Sequence, residues 1–157
     1  MNKNSFAIEQ YLKGLHPSFK MEDQGNSLWS SPYINYSIGE DQNNPTGEFL
    51  LQIRLVENAR NDLDLLAITM WAQGLNDSWI NDKAEMISLL INRINNQMQL
   101  GGFWIDLEDG GIAFNASMFV QSNTVSASMV STNIDSIVDT LNEYFPTVVE
   151  FISSDTK

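Results

Sequence analysis

The sequence contains no cysteine and only one histidine, His16. Without thiols the chain cannot form disulfides, thiolate metal sites or a cysteine nucleophile, and one histidine cannot supply a histidine-rich metal site. No serine lies in the Gly-x-Ser-x-Gly setting of a nucleophile elbow. His16 follows the first predicted helix, where an imidazolium would stabilise the negative end of the helix dipole. These absences predict a protein with no catalytic residues, no metal site and no cofactor.

Basic residues are also scarce, because 8 lysines and arginines stand against 20 aspartates and glutamates, for a formal net charge of −12. Such a surface repels phosphate backbones, so we predict no nucleic-acid partner. No apolar stretch is long enough to span a membrane, and Glu9 and Lys13 interrupt the segment that a secretory signal would occupy. We therefore predict a cytoplasmic protein that does not engage membranes.

What the chain does contain is the composition of a folded protein. Hydrophobic residues make up 43% of its 157 residues and charged residues 18%, unlike a disordered segment. This length suits one domain. We predict a single α+β domain over residues 1–157, with a polar loop over 39–47 and a flexible tail over 153–157.

The first half of the chain predicts one helix and then antiparallel strands. The helix would begin at Asn4 or Ser5, either of which can cap it, and end after Gly14. One or two strand pieces follow over residues 19–36, with a bend at Pro32.

The clearest strand signals form a hairpin. Residues 48–57 alternate with one apolar face, residues 63–72 are apolar on both faces, and residues 58–62 supply a turn. A strand that is apolar on both sides is central in its sheet or has its second face covered.

A long amphipathic helix is predicted over residues 82–99, from a capping-box-like pattern at Asp82 and Glu85 to Gly101-Gly102. Its apolar positions are three and four residues apart, which predicts packing against the sheet. The stripe consists of Ala84, Ile87, Ile91, Ile94 and Met98, widened by Met86, Leu89 and Leu90.

A second hairpin is predicted from residues 103–107 and 112–120, which alternate on either side of an Asp-Gly turn. Asp106 and Glu108 would share the solvent face of its first strand. Paired carboxylates can act as acid and base, but these lack the spacing of a calcium loop, and we interpret them as structural.

The last predicted helix begins at Thr132 or Asn133 and ends at Pro146, and an apolar segment over 148–152 follows it. The element order is therefore α-β-β-β-α-β-β-α. We predict an antiparallel sheet of about five strands, with the 82–99 helix on one face and helices at both ends.

Three aromatic residues, Trp71, Trp104 and Phe119, stand on the second face of this sheet, away from its main apolar stripe. Aromatic residues in such a place are covered by a loop or a short helix, or they form a patch that binds a partner. They are our candidate partner-binding residues.

Several segments of the second half resemble the YbjN-like family, which is described as bacterial regulators of sensory transduction. They are LINRIN at 90–95, FWIDLEDG at 103–110, and the amphipathic helix from 134, which ends at Tyr144-Phe145-Pro146. The resemblance implies a fold similar to class I type III secretion chaperones, which are small acidic homodimers. It implies no catalytic residue.

Three functions therefore stay open. The leading hypothesis is a non-enzymatic, chaperone-like or regulatory module that binds a protein segment at a sheet edge or beside the three aromatic residues. The second is a structural subunit whose apolar second face is buried in a homodimer. The third is a small enzyme that uses Asp106 and Glu108.

Overall fold

The computed structural model describes residues 3–15, 19–23, 27–34, 40–41, 44–45, 47–75, 79–98 and 100–153. Its helices are α1 (Lys3–Leu15), α2 (Trp79–Asn95) and α3 (Ala127–Ser153). Its strands are β1 (Lys20–Asp23), β2 (Ser27–Ile34), β3 (Glu40–Asp41), β4 (Asn44–Pro45), β5 (Glu48–Arg60), β6 (Leu63–Ala72), β7 (Gly102–Ile105) and β8 (Ile112–Gln121).

The strands form an antiparallel six-stranded sheet in the order β1-β2-β5-β6-β8-β7, and β3 and β4 form a separate ribbon. The α+β class and the antiparallel sheet are confirmed. The sheet has six strands rather than about five, because the region predicted as one or two pieces supplies both β1 and β2. The ribbon lies within the predicted polar loop.

One face of the sheet, the inner face, packs against the helices. Alternate residues of the two central strands are buried there because side chains in a strand point to opposite sides. These residues are Phe49, Leu51, Ile53, Leu55, Leu66, Ile68 and Met70. The helices and the strands β2, β7 and β8 contribute to the same continuous core, so all three helices pack on one face of the sheet.

The centre of the core is a group of four phenylalanines from four elements. The Phe145 ring of α3 lies 5.4 Å from Phe49 of β5 and 6.4 Å from Phe103 of β7. Phe103 in turn meets Phe114 of β8 edge-on at 5.3 Å. These contacts fix the long apolar stripe of α3 against β5 and β7.

The β5–β6 hairpin is confirmed, but its turn is tighter than predicted. The strand continues to Arg60, and only Asn61 and Asp62 turn the chain, with φ of 50° and 62°. Asparagine and aspartate tolerate this left-handed backbone, which two-residue hairpin turns require.

Asn4 lies inside α1 and is fully buried, so its predicted role as a cap is wrong. Its side chain accepts a hydrogen bond from the Val125 amide at 2.8 Å and donates one to the buried Asp64 carboxylate at 2.9 Å. Asp64 also accepts bonds from the Ser122 hydroxyl at 2.9 Å and the Asn58 amide at 3.1 Å. This network joins α1 to two strands and to the segment before α3.

The helix α2 is confirmed as a helix, but it runs from Trp79 to Asn95 instead of 82–99. Ile87, Ile91 and Ile94 are buried as predicted. The predicted widening of the stripe is wrong at Met86 and Leu89, which are 48% and 63% exposed, whereas Leu90 is partly buried against the core. Asn95 ends the helix, and its amide pairs with both backbone groups of Phe103, at 2.7 Å and 3.0 Å.

Two predictions about α3 are wrong. The helix begins earlier, with the Ser126 hydroxyl accepting a bond from the Met129 amide as an N-cap. It also continues through Pro146 to Ser153. The apolar stripe that contains Phe145 and Val148 stays buried on both sides of the proline, and this packing outweighs the local preference to stop.

A pair of tyrosines where α1 meets β2 makes stability depend on alkaline pH. Burial, then the neighbouring Tyr33, then Asp135 raise the pKa of Tyr11, and burial and Asp135 raise the pKa of Tyr33. The folded state therefore favours the protonated phenols. Their contribution to the free energy of unfolding is fully present below pH about 10 and is lost as pH rises further. We expect a shallower decline in Tyr11→Phe, measured by urea unfolding from pH 7 to 11. Equal slopes for the two proteins would contradict this assignment.

Candidate functional site

The face of the sheet opposite the helices, here called the outer face, lies outside the helix-covered core. The strand registers arrange its side chains in rows across the sheet. One row is apolar and consists of Pro32, Leu50, Trp71, Ala113 and Trp104. The next is polar and consists of Ser30, Gln52, Thr69 and Asn115. The outer face is thus a mixed surface and not a second core.

Trp71 and Trp104, two of the predicted partner-binding residues, are in contact. Their rings meet edge-on with centroids 4.9 Å apart. Gly111 packs against Trp71 so closely that a Cβ on it would lie 3.2 Å from the indole ring. Trp71 is half-buried, whereas Trp104 is 50% exposed. The pair therefore forms an aromatic surface in which the Trp71 ring is packed against Gly111 and the Trp104 ring is accessible to solvent.

Phe119, the third predicted residue, lies on the same face but not beside the tryptophans. It pairs with Leu65, whereas Trp71 pairs with Ala113, six residues away along β8. Six strand residues span about 20 Å, so the three aromatics form two separate sites. Phe119 is 51% exposed.

A groove of about 400 Å³ opens beside the tryptophan pair. It is lined by Leu28, Gln52, Arg54, Ala67, Thr69, Trp71, Trp104, Ala113 and Asn115. Small side chains on β6 and β8 form its floor between larger residues on both sides. Its volume falls within the range of roughly 300–1,000 Å³ that is typical of small-ligand sites.

The second half of β8 has a free edge, here called the β8 edge, which comprises residues 116–120. The short strand β7 pairs only with residues 112–115, whereas β6 pairs with β8 along residues 113–121. Within the described chain, no second strand pairs with residues 116–120. Every residue of β8 is uncharged, so the edge lacks the lysines and prolines that commonly block strand addition.

The other end of the sheet has a different edge. Strand β1 is short and carries Lys20, Glu22 and Asp23, charges that discourage pairing with another chain. Pro32 lies in the part of β2 that pairs with β5 alone, where its missing amide leaves no ladder bond unmade.

The acidic residues of the second hairpin have structural partners. The turn covers residues 106–111, so Asp106 and Glu108 do not share a strand face as predicted. The Asp106 carboxylate accepts a bond from the Glu108 amide at 2.9 Å, and that of Asp109 accepts one from Gly111 at 3.2 Å. Across the described residues no three metal-ligating side chains cluster, and His16 lies outside those residues.

Comparison with known families decides the chain's family. Residues 45–150, more than half of the chain, match the model of the YbjN family, described as "Putative bacterial sensory transduction regulator". The chain belongs to the YbjN family. The predicted resemblance is confirmed over a span that includes the β5–β6 hairpin, α2, the whole of β8 and most of α3.

The matched span of this YbjN-family protein contains the tryptophan pair, Arg54 and the β8 edge, whereas α1, β1 and β2 precede it. No curated protein matches the chain. Among the helices that the structure describes, none is both long and apolar enough to cross a membrane.

Sequence reasoning found the tryptophans but missed Arg54 and the β8 edge. Arg54 occupies the outward position of an ordinary alternating strand, which in sequence is typical of a solvated residue. The edge depends on β7 being shorter than β8, and the predicted hairpin had strands of more equal length. The only available signal was the absence of charge along residues 112–121.

Proposed function

We propose that this YbjN-family protein is a non-enzymatic, cytoplasmic binding module, regulatory or chaperone-like, that receives an extended segment of another protein. The observation that carries the proposal is the uncharged β8 edge, with residues 116–120 paired on one side only. The family description, a regulator, supports a binding role.

Strand addition explains why such an edge would be kept. About half of the backbone amides and carbonyls of an edge strand point away from its neighbour, and an incoming strand satisfies them. Side chains then supply selectivity. Phe119 stands on the outer face of this edge and is 51% exposed, so it can pack against an apolar side chain of the added strand.

A variant of the edge tests this function. We expect Phe119→Lys to lower recovery of the proteins that wild-type protein captures from a host lysate by about tenfold. The substitution removes the exposed ring and places on the edge the charge that natural edges use against pairing. Quantitative mass spectrometry of immobilised wild type and variant measures the loss.

Phe6→Lys is the matched control, because Phe6 is equally exposed at 51% but lies on α1. It should capture as the wild type does. Amide hydrogen exchange in the presence of a captured partner should show new protection confined to residues 116–120. Unchanged capture by Phe119→Lys, or protection elsewhere only, would contradict the proposal.

The alternative is a homodimer in which two β8 edges pair with each other. The same observation supports it, since an uncharged strand brings no like charges together although each copy carries −12. Light scattering after size exclusion distinguishes the two. A wild-type dimer that becomes a monomer in Phe119→Lys favours the homodimer, and a wild-type monomer excludes it.

A further inference from the structure

We infer that the groove beside Trp71 and Trp104 binds a small aromatic monocarboxylate. The inference goes beyond strand addition at the β8 edge, because it rests on different residues and requires no protein partner. Its basis is the combination of one cation, two neighbouring hydrogen-bond donors and an exposed aromatic surface.

The cation is Arg54. Among the described residues that line the groove it is the only charged side chain, and no described carboxylate forms an ion pair with it. The side chain is exposed, and its cross-strand neighbours, Leu28 and Ala67, are both apolar. Glu22 stands beyond Leu28 in the same outer-face row, and the chain carries a net charge of −12. An anion is therefore held by direct hydrogen bonds to the Arg54 guanidinium and not by the overall field of the protein.

The polar groups of the groove floor are oriented by one another. The Trp71 indole donates to the Gln52 side-chain oxygen at 2.8 Å. Because an indole N–H can only donate, it fixes the amide with its oxygen toward Trp71 and leaves the Nε2 hydrogens of Gln52 for a ligand. Asn115 donates to the Thr69 hydroxyl at 2.7 Å, so the hydroxyl hydrogen of Thr69 also remains for a ligand.

These groups together specify a ligand. Arg54, Gln52 and Thr69 all offer donors, so the complementary group is an acceptor with a negative charge and two oxygens, which is a carboxylate. The open ring of Trp104 offers an aromatic surface beside them, where a flat ring packs with more gain than an aliphatic chain. The groove volume of about 400 Å³ admits one such molecule.

The test uses phenylacetate as the probe, with phenylacetamide and acetate as probes that lack the charge and the ring. Titrations are followed by the indole N–H signals of Trp71 and Trp104 in two-dimensional NMR. A ligand of about ten heavy atoms binds in the millimolar range at ordinary ligand efficiency. We therefore expect phenylacetate to half-saturate both signals below about 10 mM, and the other two probes to bind about tenfold more weakly.

The matched variants are Arg54→Gln and Arg60→Gln, which change exposed arginines on the same strand, one in the groove and one outside it. Arg54→Gln should weaken phenylacetate binding about tenfold and Arg60→Gln should leave it unchanged. Three outcomes would each overturn the inference: no saturable shift with phenylacetate, equal binding of phenylacetamide, or wild-type affinity in Arg54→Gln. None of them bears on capture at the β8 edge.

Discussion

Replacing Phe145 by alanine is expected to lower the free energy of unfolding by about 4 kcal/mol. Removal of a buried phenylalanine costs about 3–5 kcal/mol, through lost apolar burial and the cavity that remains. Phe145 is 1% exposed and its ring contacts both Phe49 and Phe103, so neighbouring side chains cannot easily fill the space. Chemical denaturation monitored by circular dichroism measures the change, and the melting temperature should fall by about 10 °C.

Phe6→Ala is the control for this substitution. It removes the same side chain from α1, where the ring is 51% exposed, and should change the free energy by less than about 1 kcal/mol. A cost for Phe145→Ala as small as that of the control would show that α3 is not anchored at Phe145. It would also contradict the continuous path of α3 through Pro146, which keeps Phe145 and Val148 in one stripe.

Replacing Asp64 by alanine is the second large effect, with an expected loss of about 3 kcal/mol. Asp64 is 1% exposed, and its carboxylate accepts bonds from Asn4, Ser122 and the Asn58 amide. Alanine removes the acceptor of the Ser122 hydroxyl and the Asn58 amide and one of two acceptors of the buried Asn4 amide, and an unsatisfied buried donor costs about 1–3 kcal/mol. Urea unfolding at pH 7 measures the loss, and amide exchange should show that α1 becomes less protected.

A double-mutant cycle with Asn4→Ala tests whether the network acts as a unit. The two substitutions together should cost about 1–2 kcal/mol less than the sum of their separate effects, because they remove the same contact. Asp139→Ala, on the exposed side of α3, is the control and should change stability by less than about 0.5 kcal/mol. Strict additivity, or a cost for Asp64→Ala equal to the control, would contradict a shared network.

Much of the fold followed from local patterns. Periodicity revealed three features, because each depends only on residues close together in the sequence. They are the alternation in β5 and β6, the stripe of Ile87, Ile91 and Ile94, and the strand at 112–120. Element ends were less predictable because long-range contacts shift them. Packing on both sides of Pro146 extends α3, and the bond from Asn95 to Phe103 ends α2 sooner.

The candidate surfaces were predictable only in part. Alternation placed Trp71, Trp104 and Phe119 on the outer face, which the register confirms. It could not show that two of them touch while the third is about 20 Å away, since that distance depends on which residues pair across strands. The role of Arg54 and of the β8 edge depends on the same pairing.

The sequence contains no cysteine, and this alone excluded disulfides, thiolate metal sites and a cysteine nucleophile. The sequence also determined the α+β class, since side-chain periods of 2 and 3.6 residues are local properties of a chain. The tertiary structure alone decided that Asn4 and Asp64 meet in the interior and that Met86 and Leu89 face outward. It also decided that β8 extends beyond β7 and that Arg54 lines a groove with Trp104. These are relations between residues far apart in the chain, set by strand order and register, and no local period encodes them.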